Sequence, residues 1–155
     1  MTSAPVFPPI AELLPHRDTM LLLDRVVASD GESLTAALRV PPGAWYSDEK
    51  GNMPAWIGIE LMAQAIAAHV ALEALSQSKL PKQGVLLGTK AYRSDAPSFP
   101  AGAELLIAVH LLFRDESGLG AYDASIALEG KELAAATIKV FEPPNFEAFI
   151  QESMS

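Results

Sequence analysis

The 155-residue sequence contains no cysteine, which excludes disulfide bonds, cysteine-ligated zinc and thiol catalysis. Positive charge is also scarce, because 11 lysines and arginines face 19 aspartates and glutamates and leave a formal net charge of −8. This charge argues against non-specific binding of nucleic acid or of an anionic membrane. The N-terminus lacks the basic and apolar regions of a secretory signal. We therefore expect a protein of a reducing compartment, the cytoplasm.

Several catalytic and cofactor motifs are missing as well. The sequence has no GxSxG, P-loop or GxGxxG motif. It therefore gives no support to the nucleophile elbow of a hydrolase or to a nucleotide-binding site. No pair of its 3 histidines has the spacing of metal ligands, and we predict neither a metal nor a cofactor. Internal repeats and interdomain linkers are absent too. These features predict one domain over residues 1–155, with a core at about 10–141.

What the sequence does contain is one long apolar segment, Ile57 to Leu75, with the sequence IGIELMAQAIAAHVALEAL. It is apolar on nearly every side, which is typical of a helix buried within a protein. The segment is long enough to cross a bilayer, but charged side chains facing lipid are costly. Polar residues interrupt it at almost every turn: Glu60, Gln64, His69 and Glu73. We therefore expect the central helix of a soluble protein, without a membrane span.

Strand patterns lie on both sides of this helix. The predicted strands are 20–28, 33–40, 84–94, 104–114, 121–129 and 133–141, with short helices at 10–14 and around Phe146. Within 104–114, every second residue from Leu105 to Phe113 is apolar, so these side chains should share one face. A single antiparallel sheet wrapped around one helix satisfies this order of elements. The predicted fold class is therefore α+β.

Glu60 is the candidate catalytic group, because it is a carboxyl in the first turn of an otherwise apolar helix. Burial raises the pKa of a carboxyl and favours the protonated form that a general acid needs, whereas the helix dipole favours the carboxylate. Gln64 lies one turn further on and can hydrogen-bond Glu60 or a neighbouring loop. The alternative interpretation of Glu60 is an ordinary first-turn acid that complements the dipole.

The three histidines have structural interpretations of their own. His16 precedes the first strand and is interpreted as a hydrogen-bonded structural residue. His69 follows Glu60 by about 900° of helical rotation, so it lies on the opposite side of the helix and cannot easily share a proton-transfer site with it. His110 falls on the polar face of its strand, where a solvated side chain is expected.

Three further segments follow one another in the order found in a known family. They are LLPHRDTMLLLDRVV (13–27), NMPAWIGIELMAQA (52–65) and LLGTKAYRSDAPSFPAGAEL (86–105). Together they resemble the signatures of the β-hydroxyacyl-acyl-carrier-protein dehydratases of the hotdog superfamily, and most of all the dehydratase-like proteins of aryl-polyene biosynthesis clusters. The resemblance implies a hotdog fold, in which an antiparallel sheet wraps the long helix. It also implies a dimer, with acyl-chain tunnels and active sites at the subunit interface.

The same resemblance implies roles for individual residues. Glu60 takes the position of the family's catalytic acid, and Gln64 takes that of a glutamine one turn later. Ala55 stands where a glycine usually offers its backbone N–H to the thioester carbonyl. Tyr46 and Trp56 are candidates for the substrate tunnel, or else aromatic residues of the core or the interface.

The family's base, a histidine in a loop ahead of the helix, has no counterpart in this sequence. The corresponding stretch is VPPGAWYSDEKGNMPAW (40–56), and no histidine occurs anywhere from Arg17 to Ala68. In this family's dimers the acid and the base of one site come from different subunits. A homodimer would therefore have the acid twice and no base. We expect instead a heterodimer in which Glu60 faces the histidine of a second hotdog dehydratase.

Three functions remain open: a 3-hydroxyacyl-acyl-carrier-protein dehydratase of fatty-acid-like or aryl-polyene biosynthesis, a non-catalytic hotdog subunit, and an acyl thioesterase. For the first, the expected partner is an acyl carrier protein with its acyl-phosphopantetheine. Carrier proteins are acidic, as this chain is, so docking needs a local basic patch. The candidates are Lys79, Lys82, Lys90 and Arg93, which can equally be scattered, solvated cations.

Overall fold

The computed structural model describes residues 7–77 and 85–141, without the side chains of residues 85–87, 89 and 90. The helices are α1 (Ile10–Leu13) and α2 (Ile57–Ser76), with a 3-10 turn at Asp18–Met20. The strands are β1 (Arg25–Ser29), β2 (Ser33–Arg39), β3 (Met53–Pro54), β4 (Val85–Ser94), β5 (Ser98–Phe99), β6 (Glu104–Arg114), β7 (Leu119–Leu128) and β8 (Lys131–Phe141).

Six of these strands form one antiparallel sheet in the order β1-β2-β6-β7-β8-β4, and β3 pairs with β5 apart from it. The strand that follows α2 thus lies at the opposite edge of the sheet from β1. Helix α2 packs against the inner face, where it contacts β2, β6 and β7. A long helix wrapped by one antiparallel sheet is the hotdog fold, so the expected architecture is confirmed.

Helix α2 is buried because it is apolar on most of its sides. Its buried residues are Ile57, Gly58, Leu61, Met62, Gln64, Ala65, Ile66, Ala68, His69 and Ala71. In the described ranges it is the one helix long and apolar enough to cross a membrane. Of its apolar stretch of 18 residues, 56% is buried inside this chain. It is the core helix of a soluble fold, as its interrupted pattern predicts.

The first strand is shorter than expected, since β1 begins at Arg25 rather than at Met20. From Met20 to Leu23 the backbone pairs with a side chain, and only Asp24 still donates to β2. The N–H groups of Leu22 and Leu23 donate to Oε1 of Gln64, and the carbonyl of Met20 accepts from the same amide. Residues before Arg25 therefore form a loop fastened to the core helix.

Strand β6 has the predicted limits, but its alternation fails in the second half. Leu105, Ile107 and Val109 are buried, as expected. The register then shifts between Leu111 and Phe113, and Phe113 is 48% exposed. The prediction that Phe113 shares the buried face is therefore wrong, because an extra residue in a strand reverses the faces of those that follow.

The two-residue strands β3 and β5 were not predicted, and they position the entry of α2. Met53 pairs with Phe99, and Pro54 pairs with Ser98, which lies between the predicted strands 84–94 and 104–114. The chain that leads into α2 is therefore held against the loop that precedes β6. The C-terminal helix expected around Phe146 lies outside the described residues.

Candidate active site at the start of the core helix

The entry of α2 is fixed by hydrogen bonds of Ala55, two residues before the helix begins at Ile57. The N–H of Ala55 donates to the carbonyl of Pro97 at 3.0 Å, and the N–H of Gly58 donates to the carbonyl of Ala55 at 2.9 Å. The same carbonyl accepts from the hydroxyl of Tyr92 at 2.5 Å. A Cβ on Gly58 would collide with that hydroxyl, so this approach needs glycine.

The predicted role of Ala55 as a donor to a thioester finds no support in this geometry, because its single N–H is already bonded to Pro97. The next two amides are different. Those of Trp56 and Ile57 donate no hydrogen bond to any residue that the structure describes. The first N–H groups of a helix lack intrahelical acceptors, which explains why these two have no partner in this part of the chain.

Gln64 is fully buried and joins α2 to the loop before β1. Its Oε1 accepts from the N–H of Leu22 at 3.0 Å, and its Nε2 donates to the carbonyl of Met20 at 2.7 Å. Nε2 also donates to Oε1 of Glu60 at 3.1 Å. Both predicted partners, Glu60 and a neighbouring loop, are therefore bound at once. If the amide were reversed, its oxygen would face the carbonyl of Met20 and Oε1 of Glu60, which are both acceptors. The orientation of the amide is therefore determined.

Glu60 is less buried than its apolar neighbours in the sequence suggested. Its side chain is 39% exposed, because the first turn of α2 reaches the surface of the chain. In the single chain, the Glu60 carboxyl is therefore only partly buried. Gln64 holds Oε1, whereas no contact with Oε2 is found among the described residues. A carboxyl held at one oxygen and open at the other can exchange a proton at the open oxygen.

His16 also reaches Glu60, which the sequence did not predict. Its Nε2 lies 3.5 Å from Oε1 of Glu60, and its side chain is 27% exposed. The backbone around it is fixed by Arg17, whose Nη1 donates to the carbonyls of Leu14 at 2.6 Å and of His16 at 2.7 Å. The site thus contains a carboxyl with a glutamine amide and an imidazole on the same oxygen.

The aromatic residues of the segment that leads into α2 are in two different states. Tyr46 is buried in the core, 5.3 Å from Trp45 between ring centroids, and burial, followed by the charge of Asp24, raises the pKa of its phenol. Trp45 and Trp56 are 55% and 61% exposed, and Met20 beside them is 49% exposed. Of the two tunnel candidates, Tyr46 belongs to the hydrophobic core and Trp56 faces outward.

His69 lies away from Glu60, as predicted, and its contacts are complete. Its Nδ1 is 2.8 Å from the hydroxyl of Tyr122, and its Nε2 is 3.3 Å from the carbonyl of Gly31. Nε2 is also 3.3 Å from Oε1 of Glu73, whose Oε2 accepts from Arg114 at 2.9 Å. This arrangement is a structural network beneath the loop between β1 and β2.

His110 lies on the outer face of the sheet and is exposed, as its strand pattern predicts. Its Nδ1 is 2.6 Å from Oγ of Ser33, and its Nε2 is 4.0 Å from Glu32. It lines an open depression of about 490 Å³, together with Asp123 and Thr137. Glu60 and Gln64 do not line this depression, so it is separate from the candidate site.

The four predicted docking cations cannot all be placed. Lys79 and Lys82 lie outside the described residues, and so does the side chain of Lys90. Arg93 forms ion pairs with Asp95 at 2.9 Å and Glu132 at 2.8 Å, and these hydrogen bonds raise the pKa of its guanidinium. Arg93 is therefore neutralised by its own neighbours. Within the ranges described, no cluster of three potential metal ligands occurs.

Comparison with known proteins identifies the family. Residues 8–151 match the ApeP-like family, described as ApeP dehydratase. The 3-hydroxyacyl-[acyl-carrier-protein] dehydratase FabZ of Thermus thermophilus is 30% identical over 135 residues, which are 83% of this chain and 91% of FabZ. A chain of the dehydratase heterocomplex ApeI:P from Xenorhabdus doucetiae is 27% identical, with a TM-score of 0.88 over 97% of this chain and 100% of that one.

A hypothetical thioesterase with coenzyme A from Streptococcus pneumoniae shares the fold alone. It is 15% identical, with a TM-score of 0.59 over 76% of this chain and 84% of that one. The match over residues 8–151 and the likeness to FabZ agree with the hotdog architecture described above. The chain belongs to the ApeP-like dehydratase family of hotdog proteins.

Proposed function

We propose that the chain takes part in the dehydration of 3-hydroxyacyl-acyl-carrier-protein to trans-2-enoyl-acyl-carrier-protein, with Glu60 as the acid. The observation that carries this proposal is the Glu60 carboxyl, held at Oε1 by the buried amide of Gln64 and open at Oε2. The substrate class follows the name of the FabZ relative. Fatty-acid-like or aryl-polyene biosynthesis is the setting that the sequence signatures favour.

The reaction needs an acid, a base and a donor for the thioester oxygen. A base removes the proton from the carbon next to the thioester carbonyl, and the electron pair of that bond forms the new double bond. The C–O bond to the hydroxyl breaks, and the hydroxyl leaves as water with the proton from Oε2 of Glu60. Backbone N–H groups stabilise the charge on the thioester oxygen. The free amides of Trp56 and Ile57 suit that task better than Ala55 does.

The base is proposed to come from a second subunit. No histidine occurs from Arg17 to Ala68, the region in which the family carries it ahead of the helix. The ApeI:P relative is a heterocomplex of dehydratases, which supports a partner of the same fold. In such a pair, Glu60 of this chain would face the histidine of its partner across the interface.

The exposed side chains around Glu60 fit a surface that a partner covers. Met20, Trp45 and Trp56 are large and apolar, and about half or more of each is exposed. Isolated exposed apolar residues are ordinary, but three around one open carboxyl are typical of an interface. A covering subunit would also remove water from Glu60 and so supply the burial that the single chain lacks.

An acyl carrier protein is the proposed carrier of the substrate, in the cytoplasm. Since Arg93 is paired with two carboxylates, any docking patch depends on Lys79, Lys82 and Lys90. Reversal of two of these lysine charges should raise the KM for the carrier-linked substrate and leave kcat unchanged. An unchanged KM would contradict the patch and leave the assignment of Glu60 intact.

The proposal is tested with a 3-hydroxyacyl-carrier-protein substrate and mass spectrometry of the acyl product. Three preparations are compared: this chain alone, a histidine-bearing hotdog dehydratase alone, and the two co-expressed. We expect enoyl product at a high rate from the co-expressed pair. In that pair Glu60→Gln should lower kcat roughly 100-fold to 10,000-fold, because a positioned acid typically contributes that much.

The matched control is Glu12→Gln, an exposed glutamate of α1, which should leave the rate unchanged. If Glu60→Gln leaves the activity of the pair intact, the assignment of the acid is wrong. Free hydroxy acid as the product would indicate a thioesterase. Full activity of the partner without this chain would indicate that this chain is a non-catalytic subunit.

A further inference from the structure

His16 lies in a loop whose position is fixed at three points. Arg17 binds two carbonyls of the loop, one of them that of His16 itself. The indole of Trp45 donates to a carbonyl two residues beyond Arg17 at 2.9 Å, and Gln64 binds the next carbonyl along. The imidazole is therefore held beside Glu60 by the fold, and its 3.5 Å approach to Oε1 is not an accident of a free surface side chain.

The two nitrogens of His16 have different surroundings. Nδ1 is enclosed by protein and has no hydrogen-bond partner among the described residues, whereas Nε2 faces Glu60. A neutral imidazole has a hydrogen on one nitrogen and a lone pair on the other. A hydrogen on Nδ1 would be an enclosed donor without an acceptor, and it would leave the lone pair of Nε2 facing an oxygen of the Glu60 carboxyl. The hydrogen therefore belongs on Nε2, where it points toward the carboxyl.

This placement leaves neither nitrogen free to take a proton from a substrate. Nδ1 has the lone pair but is enclosed, and Nε2 reaches the site but already has a hydrogen. His16 is thus unsuited to replace the base that the sequence lacks, although it is the one histidine beside Glu60 in the part of the chain described. Its geometry suits a donor to Glu60 instead.

We propose that His16 is a positioning residue for Glu60, which presents its Nε2–H to Oε1 beside the amide of Gln64 and so directs the acidic proton to Oε2. This inference rests on the proposed dehydration and adds a residue to it. Two donors on Oε1 disfavour a proton there, so the acid proton sits on the open oxygen. When that proton leaves with the hydroxyl, the same two donors stabilise the carboxylate that remains.

The 3.5 Å separation is longer than a strong hydrogen bond, and it is expected to shorten when the substrate is bound and water is excluded. The contribution of His16 should therefore appear in the rate of the chemical step more than in substrate binding. Removal of the donor should lower kcat and leave KM nearly unchanged.

Three variants of the co-expressed pair separate a positioning role from a base. His16→Ala removes the donor and should lower kcat roughly 10-fold to 100-fold, the usual worth of a hydrogen bond to a charged group. His16→Gln can place an amide N–H near the position of Nε2 and should stay within about 3-fold of the wild type. The matched control, His110→Gln on the outer face of the sheet, should have no effect.

Equal losses in His16→Gln and His16→Ala would overturn the proposal, because a glutamine cannot act as a base but can donate. Unchanged rates in both variants would overturn it too. A second measurement needs no activity: two-bond ¹⁵N–¹H correlation spectra of the full-length chain, alone and in complex, report the tautomer of each histidine. We expect the Nε2–H form for His16, and the Nδ1–H form would contradict the proposal even if dehydration is established.

Discussion

A histidine–glutamate pair lies at each end of helix α2, and the two pairs differ in their exposure and in their hydrogen-bond partners. At the C-terminal end His69 is 1% exposed, both of its nitrogens have partners, and both oxygens of Glu73 are bound. At the N-terminal end the imidazole of His16 and the carboxyl of Glu60 are partly exposed. There, Nδ1 of His16 and Oε2 of Glu60 have no partner among the described residues.

The difference is the reason to assign one pair to stability and to propose the other for chemistry. A polar group whose partners are complete gains its full hydrogen-bond energy in the folded chain and has nothing left to offer a ligand. A carboxyl with an open oxygen gives up part of that energy and can act on a substrate. Both ends have a histidine and a glutamate, so the distinction comes from their burial and from the completeness of their contacts.

The largest expected effect is the loss of stability in His69→Ala. Loss of the buried ring leaves a cavity and removes partners from Tyr122 and Glu73, so the free energy of unfolding should fall by about 2 to 4 kcal/mol. The rate of dehydration per folded molecule should not change. Urea unfolding and the assay of the co-expressed pair measure the two quantities separately.

His110→Ala is the control for His69→Ala, since its ring is exposed on the outer face and its loss should change stability by less than about 0.5 kcal/mol. If His69→Ala instead lowers the rate of the folded pair as strongly as Glu60→Gln does, the two ends of α2 are not functionally distinct.

Gln64→Met should have a smaller effect, and it should lower both the free energy of unfolding and the rate of dehydration. Methionine keeps the volume but leaves the N–H of Leu22 and the carbonyl of Met20 without their partner, which costs about 1 to 3 kcal/mol. Glu60 also loses its donor, so kcat should fall roughly 10-fold. Gln77→Met, at the exposed end of the same helix, is the matched control. It should change neither the free energy of unfolding nor kcat.

A loss of stability without a loss of rate in Gln64→Met would show that the amide fastens the loop but does not orient Glu60. A loss of rate without a loss of stability would show the reverse. Either result would separate stability from chemistry more clearly, because Gln64 binds both the loop before β1 and the carboxyl of Glu60.

The smallest effect is expected for Tyr92→Phe at the entry of α2. Removal of the hydroxyl that donates to Ala55 should lower the free energy of unfolding at pH 8 by about 0.5 to 1.5 kcal/mol. Burial raises the pKa of Tyr92 above its ordinary value of 10.0, so the neutral phenol stabilises the folded chain below pH 10. That stabilisation is lost as the pH rises through the pKa of the folded state.

The difference between the wild type and Tyr92→Phe should therefore shrink between pH 8 and pH 11, as measured by urea unfolding at several pH values. Tyr46 also has a raised pKa, but it is present in both proteins and its effect cancels. A difference that grows with pH would contradict the assigned direction.

The sequence predicted the parts of this site that are close together in the chain. Glu60 and Gln64 are one helical turn apart, and their hydrogen bond follows from that spacing. The long apolar run likewise predicts the core helix, because its burial is a property of its own residues. Periodicity gave the limits of β6 correctly as well, up to the bulge that turns Phe113 outward.

The remaining parts depend on contacts that no local pattern contains. His16 reaches Glu60 only because the loop before β1 folds back on α2, and the bond between Ala55 and Pro97 depends on the pairing of β3 with β5. Two-residue strands are too short to show a period. One signal was available: a glutamine within an apolar, buried helix needs hydrogen-bond partners, and the backbone of the loop ahead of β1 supplies them to Gln64.

The dual bonding of Gln64 has a consequence for how a substrate of the proposed dehydration could reach Glu60. The loop before β1 cannot move outward independently, since any such motion stretches the bonds from Leu22 and to Met20 and disturbs the donor that holds Glu60. Displacement of this loop and release of Glu60 from its donor are therefore coupled. A substrate that reaches the acid while Gln64 stays bonded must enter without displacing that loop.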